Sequence, residues 1–135
     1  MIQFDSSFLI DLHHELTRQR PAAAFDLIES LDAGELLSVS VHVVAELRVG
    51  PELDRHPLPS HEALDRLLAG FLVVYPDERF AGTYARLWAA TNRRRRTVAS
   101  MDLLIATAAI VDDAALVTNN VKDFSRVPGL RIMRY

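Results

Sequence analysis

The feature that most constrains the fold is the alternation of short apolar segments with longer helical segments along the whole chain. The apolar segments are typical of strands and cover residues 1–5, 36–40, 72–75, 115–118 and 130–133. Apolar residues at helical spacing fill the regions between them. Strands that alternate with helices predict a parallel sheet joined by right-handed crossovers. The expected fold class is therefore α/β, with a central parallel sheet of four to five short strands flanked by helices.

Hydroxyl and acidic side chains that follow the strands predict where helices begin. Ser6 and Ser7 offer caps after the first strand, and Ser40 offers one after the second. Asp77 offers a cap after the third strand, for a long helix that leads into four consecutive arginines. Each strand is thus expected to lead directly into a helix.

Two further segments have a clear structural preference. Residues 102–111 are apolar almost all round, which predicts a helix buried on several sides. Residues 51–60 contain three prolines, and we expect a loop there that leads into a helix around 62–69.

Composition limits the kinds of protein that this chain can be. With 135 residues, 50% of them hydrophobic, residues 1–135 are expected to form one domain that buries its own core. The absence of cysteine excludes a disulfide scaffold, a cysteine zinc site and a thiol nucleophile. No apolar run has the length of a membrane span and no secretory signal is visible, so we expect a cytoplasmic protein without membrane attachment.

The charge distribution argues for local rather than general contacts with nucleic acid. The net charge is −3, which disfavours a protein that coats polyanions non-specifically. The concentrated positive feature is a run of four residues, Arg93, Arg94, Arg95 and Arg96. This run is either a solvated helix end, favoured by the helix dipole, or a set of RNA-binding residues that contact phosphates. The sequence leaves both interpretations open.

Three acidic residues that are far apart in the sequence lie next to predicted strands. Asp5 ends the first strand, Glu46 lies one to two turns into the helix after the second, and Asp102 begins the helix before the fourth. In open parallel sheets the chemistry lies at the carboxyl ends of the strands, where the strand order reverses. Acids that meet there suit a hard cation such as Mg²⁺. Taken alone, each acid also has an ordinary structural role as a cap, a turn residue or half of an ion pair.

Other residues with chemical potential give weaker signals. The five histidines have no spacing that unites them, so we assign none of them a catalytic or metal-binding role. Tyr84 and Trp88 are one helical turn apart, and this spacing favours a core or dimer contact over a base-stacking platform.

Four segments carry a resemblance to a known family. They are FDSSFLID near the N-terminus, VVAELRVG at 43–50, MDLLIATAAI at 101–110 and LVTNNVKDF at 116–124. In this order and spacing the chain resembles the PIN-domain ribonucleases, specifically the VapC-type toxins of toxin–antitoxin pairs. The resemblance implies a PIN fold and a Mg²⁺- or Mn²⁺-dependent endoribonuclease that hydrolyses phosphodiester bonds in cellular RNA.

The resemblance also assigns roles to individual residues. Asp5, Glu46 and Asp102 match the three acids of the family's catalytic metal cluster. Ser6 matches the hydroxyl residue that orients the first acid or a bound water. The implied products carry 5′-phosphate and 3′-hydroxyl ends.

One position departs from the fullest family pattern. The fourth acidic position falls on Asn120, which supplies an oxygen but no charge. Asp123 lies three residues further on, within one helical turn, and could approach the same cluster. We therefore expect one metal ion to bind well and a second to bind weakly.

The resemblance further implies two protein partners, a VapB-type antitoxin and a second copy of the chain in a homodimer. The C-terminal segment of the antitoxin would cover the groove beside the acids. The apolar faces of the first two helices either receive such a segment or form core; they include Leu9, Leu12, Leu16 and Phe25.

Two other functions stay open at this point. One is a PIN-like nuclease in RNA or DNA processing, which the short chain disfavours because it leaves no room for a clamp around a branched substrate. The other is an interaction protein with weakened catalysis, which Asn120 favours and the three retained acids disfavour.

Overall fold

Five short strands form one parallel sheet in the computed structural model, which describes residues 1–135. The strands are β1 (Ile2–Phe4), β2 (Leu37–Ser40), β3 (Leu72–Val74), β4 (Ala115–Val117) and β5 (Ile132–Met133). Their order in the sheet is β3-β2-β1-β4-β5, and all neighbours are parallel. The predicted α/β class and the parallel sheet are confirmed.

Seven helices connect the strands. They are α1 (Ser6–Thr17), α2 (Ala23–Ser30), α3 (Val41–Glu52), α4 (Pro57–Leu68), α5 (Phe80–Arg93), α6 (Ser100–Val111) and α7 (Val121–Phe124). Helix α6 contacts β2, β4, α3 and α5, and its buried residues lie on more than one face, as its apolar sequence predicts. None of the helices combines the length and apolar character needed to cross a membrane.

Aromatic side chains fix β1 in the middle of the sheet. Phe4 and Phe8 are fully buried, and their ring centroids lie 4.6 Å apart. On the neighbouring strand β4, Leu116 and Val117 are also fully buried. Because large apolar side chains contribute most of the free energy gained on burial, these residues hold the ends of β1 and β4 in a fixed relationship.

The strand order reverses between β1 and β4. Strand β1 pairs with β2 on one side and with β4 on the other, where Phe4 lies opposite Val117. The N–H of Asp5 extends this pairing and donates to the carbonyl of Val117 at 3.0 Å. The chain connections diverge from such a reversal and leave a crevice at the carboxyl ends of the strands. The first acid of the predicted site therefore lies where this fold class places its chemistry.

The prediction of a loop over residues 51–60 is mostly wrong. Helix α3 continues through Pro51 and ends at Glu52, and α4 already begins at Pro57. Only residues 53–56 lie outside helices. The difference arises because Pro57 occupies the first turn of a helix, where its missing N–H leaves no hydrogen bond unmade.

The predicted helix caps have mixed outcomes. Ser40 accepts a hydrogen bond from the N–H of Val43 at 3.3 Å, which confirms it as the cap of α3. Asp77 does not cap α5, because its carboxylate accepts from the N–H of Arg79 and that residue precedes the first helical turn.

Candidate active site

Asp5 is a buried carboxylate with hydrogen bonds to both of its oxygens. It is 5% exposed and is itself the cap of α1, because Oδ1 accepts from the N–H of Ser6 at 2.8 Å. Oδ2 accepts from the hydroxyl of Thr118 at 2.8 Å and from that of Ser7 at 3.1 Å. The serines that we predicted as caps thus serve the carboxylate instead. Because hydrogen bonds hold both of its oxygens, this buried carboxylate has a single orientation.

Ser6 connects Asp5 with Glu46. Its Oγ lies 2.6 Å from Oε2 of Glu46 and 3.4 Å from Oδ1 of Asp5. A hydroxyl donates one proton, and the shorter distance identifies Glu46 as the acceptor. Glu46 lies in the second turn of α3 as predicted, and this contact turns its exposed side chain towards Asp5.

Asp102 faces the same group of charges from a third element. It lies in the first turn of α6, two residues inside the helix, so the alternative that it is the cap is wrong. Burial, together with the smaller effect of the negative charges of Asp5, Glu46 and Asp123, raises its pKa to about 6. The fold thus brings together the three acids predicted from the sequence, and Asp123 with them.

The donor set of this cluster fits a divalent cation that keeps part of its water shell. None of the ion pairs in the structure includes Asp5, Glu46 or Asp102, so their negative charge is not neutralised by Lys or Arg. No three acidic or histidine side chains are arranged to hold an ion directly as they stand. Mg²⁺ commonly uses only one or two carboxylates and completes its octahedron with water and substrate oxygens. The cluster therefore suits Mg²⁺ or Mn²⁺ better than an ion that needs a complete protein shell.

The structure gives Asn120 and Asp123 different positions relative to the cluster. Asn120 precedes α7 but its side chain does not cap this helix, and its N–H donates to the hydroxyl of Thr118 at 3.0 Å. Asp123 lies within α7, 3.8 Å from the guanidinium of Arg126, and its charge acts on Asp102. Of the two, Asp123 brings negative charge to the site.

Comparison with known protein families identifies the family of this chain. The family model of the PIN domain matches residues 2–130 of this chain. The chain belongs to the PIN domain family. Within the family it is similar to Ribonuclease VapC19 of Mycobacterium tuberculosis, with 35% identity over 114 residues, which are 84% of this chain and 87% of the relative. It is also similar to Ribonuclease VapC2 of Rickettsia felis, with 29% identity over 112 residues, 83% of this chain and 84% of the relative.

Solved structures share the whole PIN fold with this chain. One is VapBC2 from Rickettsia felis bound to a DNA fragment from their promoter, with a TM-score of 0.88, 25% identity, and coverage of 100% of this chain and 99% of that chain. Another is VapBC-1 from nontypeable Haemophilus influenzae, with a TM-score of 0.87, 27% identity, and coverage of 99% and 98%. The predicted resemblance to VapC-type PIN domains is therefore confirmed.

The sequence did not predict that Thr118, Ser7 and Tyr135 take part in the surroundings of the first acid of this PIN domain. Thr118 and Ser7 hold Oδ2 of Asp5, although neither was predicted to take part. Tyr135 donates to Asp11 at 2.7 Å, and burial raises the pKa of its phenol. The signal that could have found Thr118 and Ser7 is that both are hydroxyl residues near a strand end: Thr118 directly follows β4, and Ser7 lies three residues after β1. Nothing near Tyr135 in the sequence indicates its hydrogen bond to Asp11.

The four consecutive arginines lie at and beyond the end of α5. Arg93 is the last residue of the helix, Arg94 is its C-cap, and Arg95 and Arg96 belong to the connection to α6. All four side chains are exposed. None of them forms an ion pair with the acidic cluster. Their role as RNA-binding residues stays a prediction.

Proposed function

We propose that this chain is a metal-dependent endoribonuclease toxin that hydrolyses phosphodiester bonds in cellular RNA and is inhibited by a cognate antitoxin. The names of the similar relatives support the class, because they are VapC ribonucleases. Structural neighbours that are VapBC assemblies support an antitoxin partner. The dependence on a metal and the choice of residues rest on the geometry of the acidic cluster.

The observation that carries the proposal is the convergence of Asp5, Glu46 and Asp102 at the strand-order reversal. They come from the end of β1, from α3 and from the first turn of α6, and the hydroxyl of Ser6 joins the first two. A purely structural cluster of carboxylates would be unfavourable without counter-charges. Their close approach is therefore explained by a function that supplies positive charge.

Asp5 and Asp102 would hold Mg²⁺ or Mn²⁺, with Glu46 as a direct ligand or a ligand through water. When bound, such an ion lowers the pKa of a coordinated water and polarises the scissile phosphate. Neighbouring side chains hold these metal ligands in position. Thr118 and Ser7 keep Oδ2 of Asp5 in place, and the N–H of Ser6 holds Oδ1.

The protonation of Asp102 and the position of Glu46 also depend on the charges in this cluster. The raised pKa of Asp102 means that a fraction of this carboxyl holds a proton near neutral pH until positive charge arrives. Ser6 keeps the Glu46 carboxylate next to Asp5 in spite of their mutual repulsion. Attack by water on phosphorus breaks its bond to the 3′-oxygen. That oxygen leaves and takes up a proton as the 3′-hydroxyl, the other fragment keeps a 5′-phosphate, and no covalent link to the enzyme is needed.

The experiment that tests this function is cleavage of total cellular RNA by the purified chain, with mapping of the new ends. We expect fragments with 5′-phosphate ends when Mg²⁺ or Mn²⁺ is present and no cleavage when EDTA is present. Single-stranded and flap DNA are included as substrates. Metal-dependent cleavage of flap DNA without cleavage of RNA would favour a DNA-processing nuclease, and no cleavage of any substrate would favour the interaction protein.

A groove between α1, α3 and α4 supports a docking surface for the antitoxin. It has a volume of about 500 Å³, and its apolar lining includes Leu9, Ile10, Leu47, Leu64 and Leu67. Of the four residues predicted for this surface, Leu9 lines the groove but is fully buried. Leu12 is also buried, Phe25 packs against the core and Leu16 is half exposed, and none of these three lines the groove. We propose that an amphipathic segment of the antitoxin occupies this groove.

A homodimer is proposed on the resemblance together with an exposed aromatic residue. Tyr84 packs against the core, as predicted for one half of the aromatic pair on α5, whereas Trp88 is 51% exposed. A large exposed aromatic ring is typical of interface centres. Light scattering of the chain alone and with its antitoxin tests the dimer, and a concentration-independent monomer would contradict it.

A further inference from the structure

Basic side chains from two separate segments line one polar depression. Its volume is about 380 Å³, and its lining consists of Arg95, Arg96, Lys122, Ser125 and Arg126. No hydrophobic side chain contributes to the lining. We call these five residues the basic pocket.

The turn after α5 brings two of the four consecutive arginines into the basic pocket. Arg95 has a left-handed backbone with φ of 52°. The N–H groups of Arg95 and Arg96 donate back to the carbonyls of Asn92 and Thr91 at 3.0 and 2.9 Å. This hydrogen-bond pattern is the Schellman turn that ends many helices. It separates Arg95 and Arg96 from Arg93, which stays on the helix and does not line the pocket.

The basic pocket adjoins the acidic cluster through Asp123. Arg126 donates to the carbonyl of Thr97 at 3.1 Å, which ties the end of α7 to the segment before α6. Asp123 lies 3.8 Å from Arg126, and its charge also acts on Asp102. Asp123 therefore connects the two sites, and a ligand that spans both passes over it.

The basic pocket has positive charge that the protein itself does not neutralise. Arg95, Arg96 and Lys122 form no ion pair, and their side chains are exposed. In a chain with a net charge of −3, such a concentration of unpaired cations attracts an anion. Guanidinium groups match the geometry of phosphate oxygens especially well.

We propose that the basic pocket binds a backbone phosphate of single-stranded RNA, one or more nucleotides away from the bond that the acidic cluster cleaves. This inference rests on the proposed ribonuclease function. Arg95, Arg96 and Lys122 contact the phosphate, and Arg126 supports the wall of the pocket. Because phosphate contacts position a substrate without reading bases, the pocket fixes the register of the RNA and leaves the choice of sequence to other residues.

The test is a binding titration of a labelled single-stranded RNA as a function of salt. All proteins carry Asp102→Asn, so that the RNA stays intact. The parent is compared with Arg95→Gln/Arg96→Gln, with Lys122→Gln and with the matched control Arg93→Gln/Arg94→Gln. Arg126 is left unchanged because its hydrogen bond and ion pair also support the fold. Thermal melts check that each variant is folded.

We expect the Arg95/Arg96 pair to lose about tenfold in affinity at moderate salt. The slope of log affinity against log salt should fall by about 0.7, which is the contribution of one single-strand phosphate contact. Lys122→Gln should have about half of this effect, and the control should keep the parent slope. Single-stranded DNA of the same sequence should show the same losses, because the contact does not involve the 2′-hydroxyl.

Three results would overturn the inference. One is an equal loss of slope in the control pair, which would show a diffuse charge effect. Another is unchanged binding of both RNA and a polyglutamate peptide in the Arg95/Arg96 pair. The third is unchanged RNA binding with weaker binding of a polyglutamate peptide, which would assign the pocket to an acidic protein partner. Cleavage by the unsubstituted chain is measured separately, so that failure of the ribonuclease function is distinguished from failure of the pocket.

Discussion

The hydroxyl of Ser6 lies 2.6 Å from Oε2 of Glu46 and ties the first turn of α1 to α3 across 40 positions of the chain. The same hydroxyl is 3.4 Å from Oδ1 of Asp5. It is thus located between two carboxylates that repel each other. A donor at this point keeps the exposed side chain of Glu46 beside the buried Asp5, which is the arrangement that a shared cation needs.

Replacing Ser6 should therefore weaken metal binding without removing a ligand. We expect Ser6→Ala to lower Mn²⁺ affinity and RNA cleavage by about 10- to 100-fold, the usual effect of losing a hydrogen bond that orients a ligand. Ser30→Ala is the matched control, because Ser30 is an exposed helical serine that bonds only to the backbone. Calorimetry and cleavage rates check the effect, and wild-type values for both would contradict the role of Ser6.

Thr118 should matter for both stability and activity. Thr118→Val keeps the shape of the side chain but removes the donor to Asp5 and the acceptor for the N–H of Asn120. Buried groups that lose their partner in this way cost about 1–3 kcal/mol of the free energy of unfolding. Thr118→Ser keeps the hydroxyl and should retain most of the stability and activity. Equal unfolding midpoints for the Val and Ser variants in denaturant would show that the hydroxyl is unimportant.

Asp102 should make the metal-free protein less stable at neutral pH than at acid pH. Its pKa of about 6 in the folded state lies above its unfolded value of 3.8, so the folded protein binds this proton more tightly. The contribution of Asp102 to the free energy of unfolding therefore falls as pH rises from about 4 to about 6 and then stays constant. Asp102→Asn should raise stability above pH 6, by on the order of 1 kcal/mol after allowance for solvent screening, and should have no such effect below pH 4.

Denaturant unfolding in EDTA across this pH range tests the prediction. Asp26→Asn is a suitable control, because Asp26 also lies in the first turn of a helix but is exposed. This control should lose a little stability at neutral pH, since a helix N-terminus favours negative charge. A loss of stability for Asp102→Asn at pH 7 would contradict the electrostatic account of the cluster.

Asn120 and Asp123 decide how tightly a second ion binds. Asn120→Asp adds a negative charge, so we expect tighter binding of the second ion and lower stability of the metal-free protein. Asp123→Asn should have the opposite effects, because the charge of Asp123 acts on Asp102. Calorimetric metal titrations of both variants check this. Two equally tight ions in the unsubstituted chain, or no response to either change, would show that the fourth ligand lies elsewhere.

The positions of the three acids were predictable because each lies at a fixed place relative to a strand. Alternating strands and helices imply a parallel sheet, and the end of β1 is then an expected place for Asp5. The helix of 102–111 and the cap at Ser40 were predictable for similar reasons, since a local pattern of apolar residues or a hydroxyl group determines them. No local pattern shows that Asp5, Glu46 and Asp102 belong to one site. That grouping came from the resemblance of four segments to the PIN-domain ribonucleases.

The rest depends on contacts between distant residues, which spacing does not reveal. Thr118 meets Asp5 only because β1 and β4 are neighbours, and Tyr135 reaches Asp11 only after β5 has joined the sheet. Likewise, Lys122 and Arg126 join Arg95 only when α7 has packed beside the connection to α6. The error over 51–60 has another cause, because proline permits the first turn of a helix as readily as a loop.

The central claim is that Asp5, Glu46 and Asp102 together hold the cation that cleavage requires. The most direct measurement is the single-turnover rate of RNA cleavage in Mg²⁺ by Asp5→Asn, Glu46→Gln and Asp102→Asn, with circular dichroism as a check of folding. We predict that each variant is folded and cleaves about 100-fold more slowly or worse, as expected when a group that stabilises charge in a transition state is lost. A folded variant that cleaves at the wild-type rate would remove its residue from the site and contradict the account.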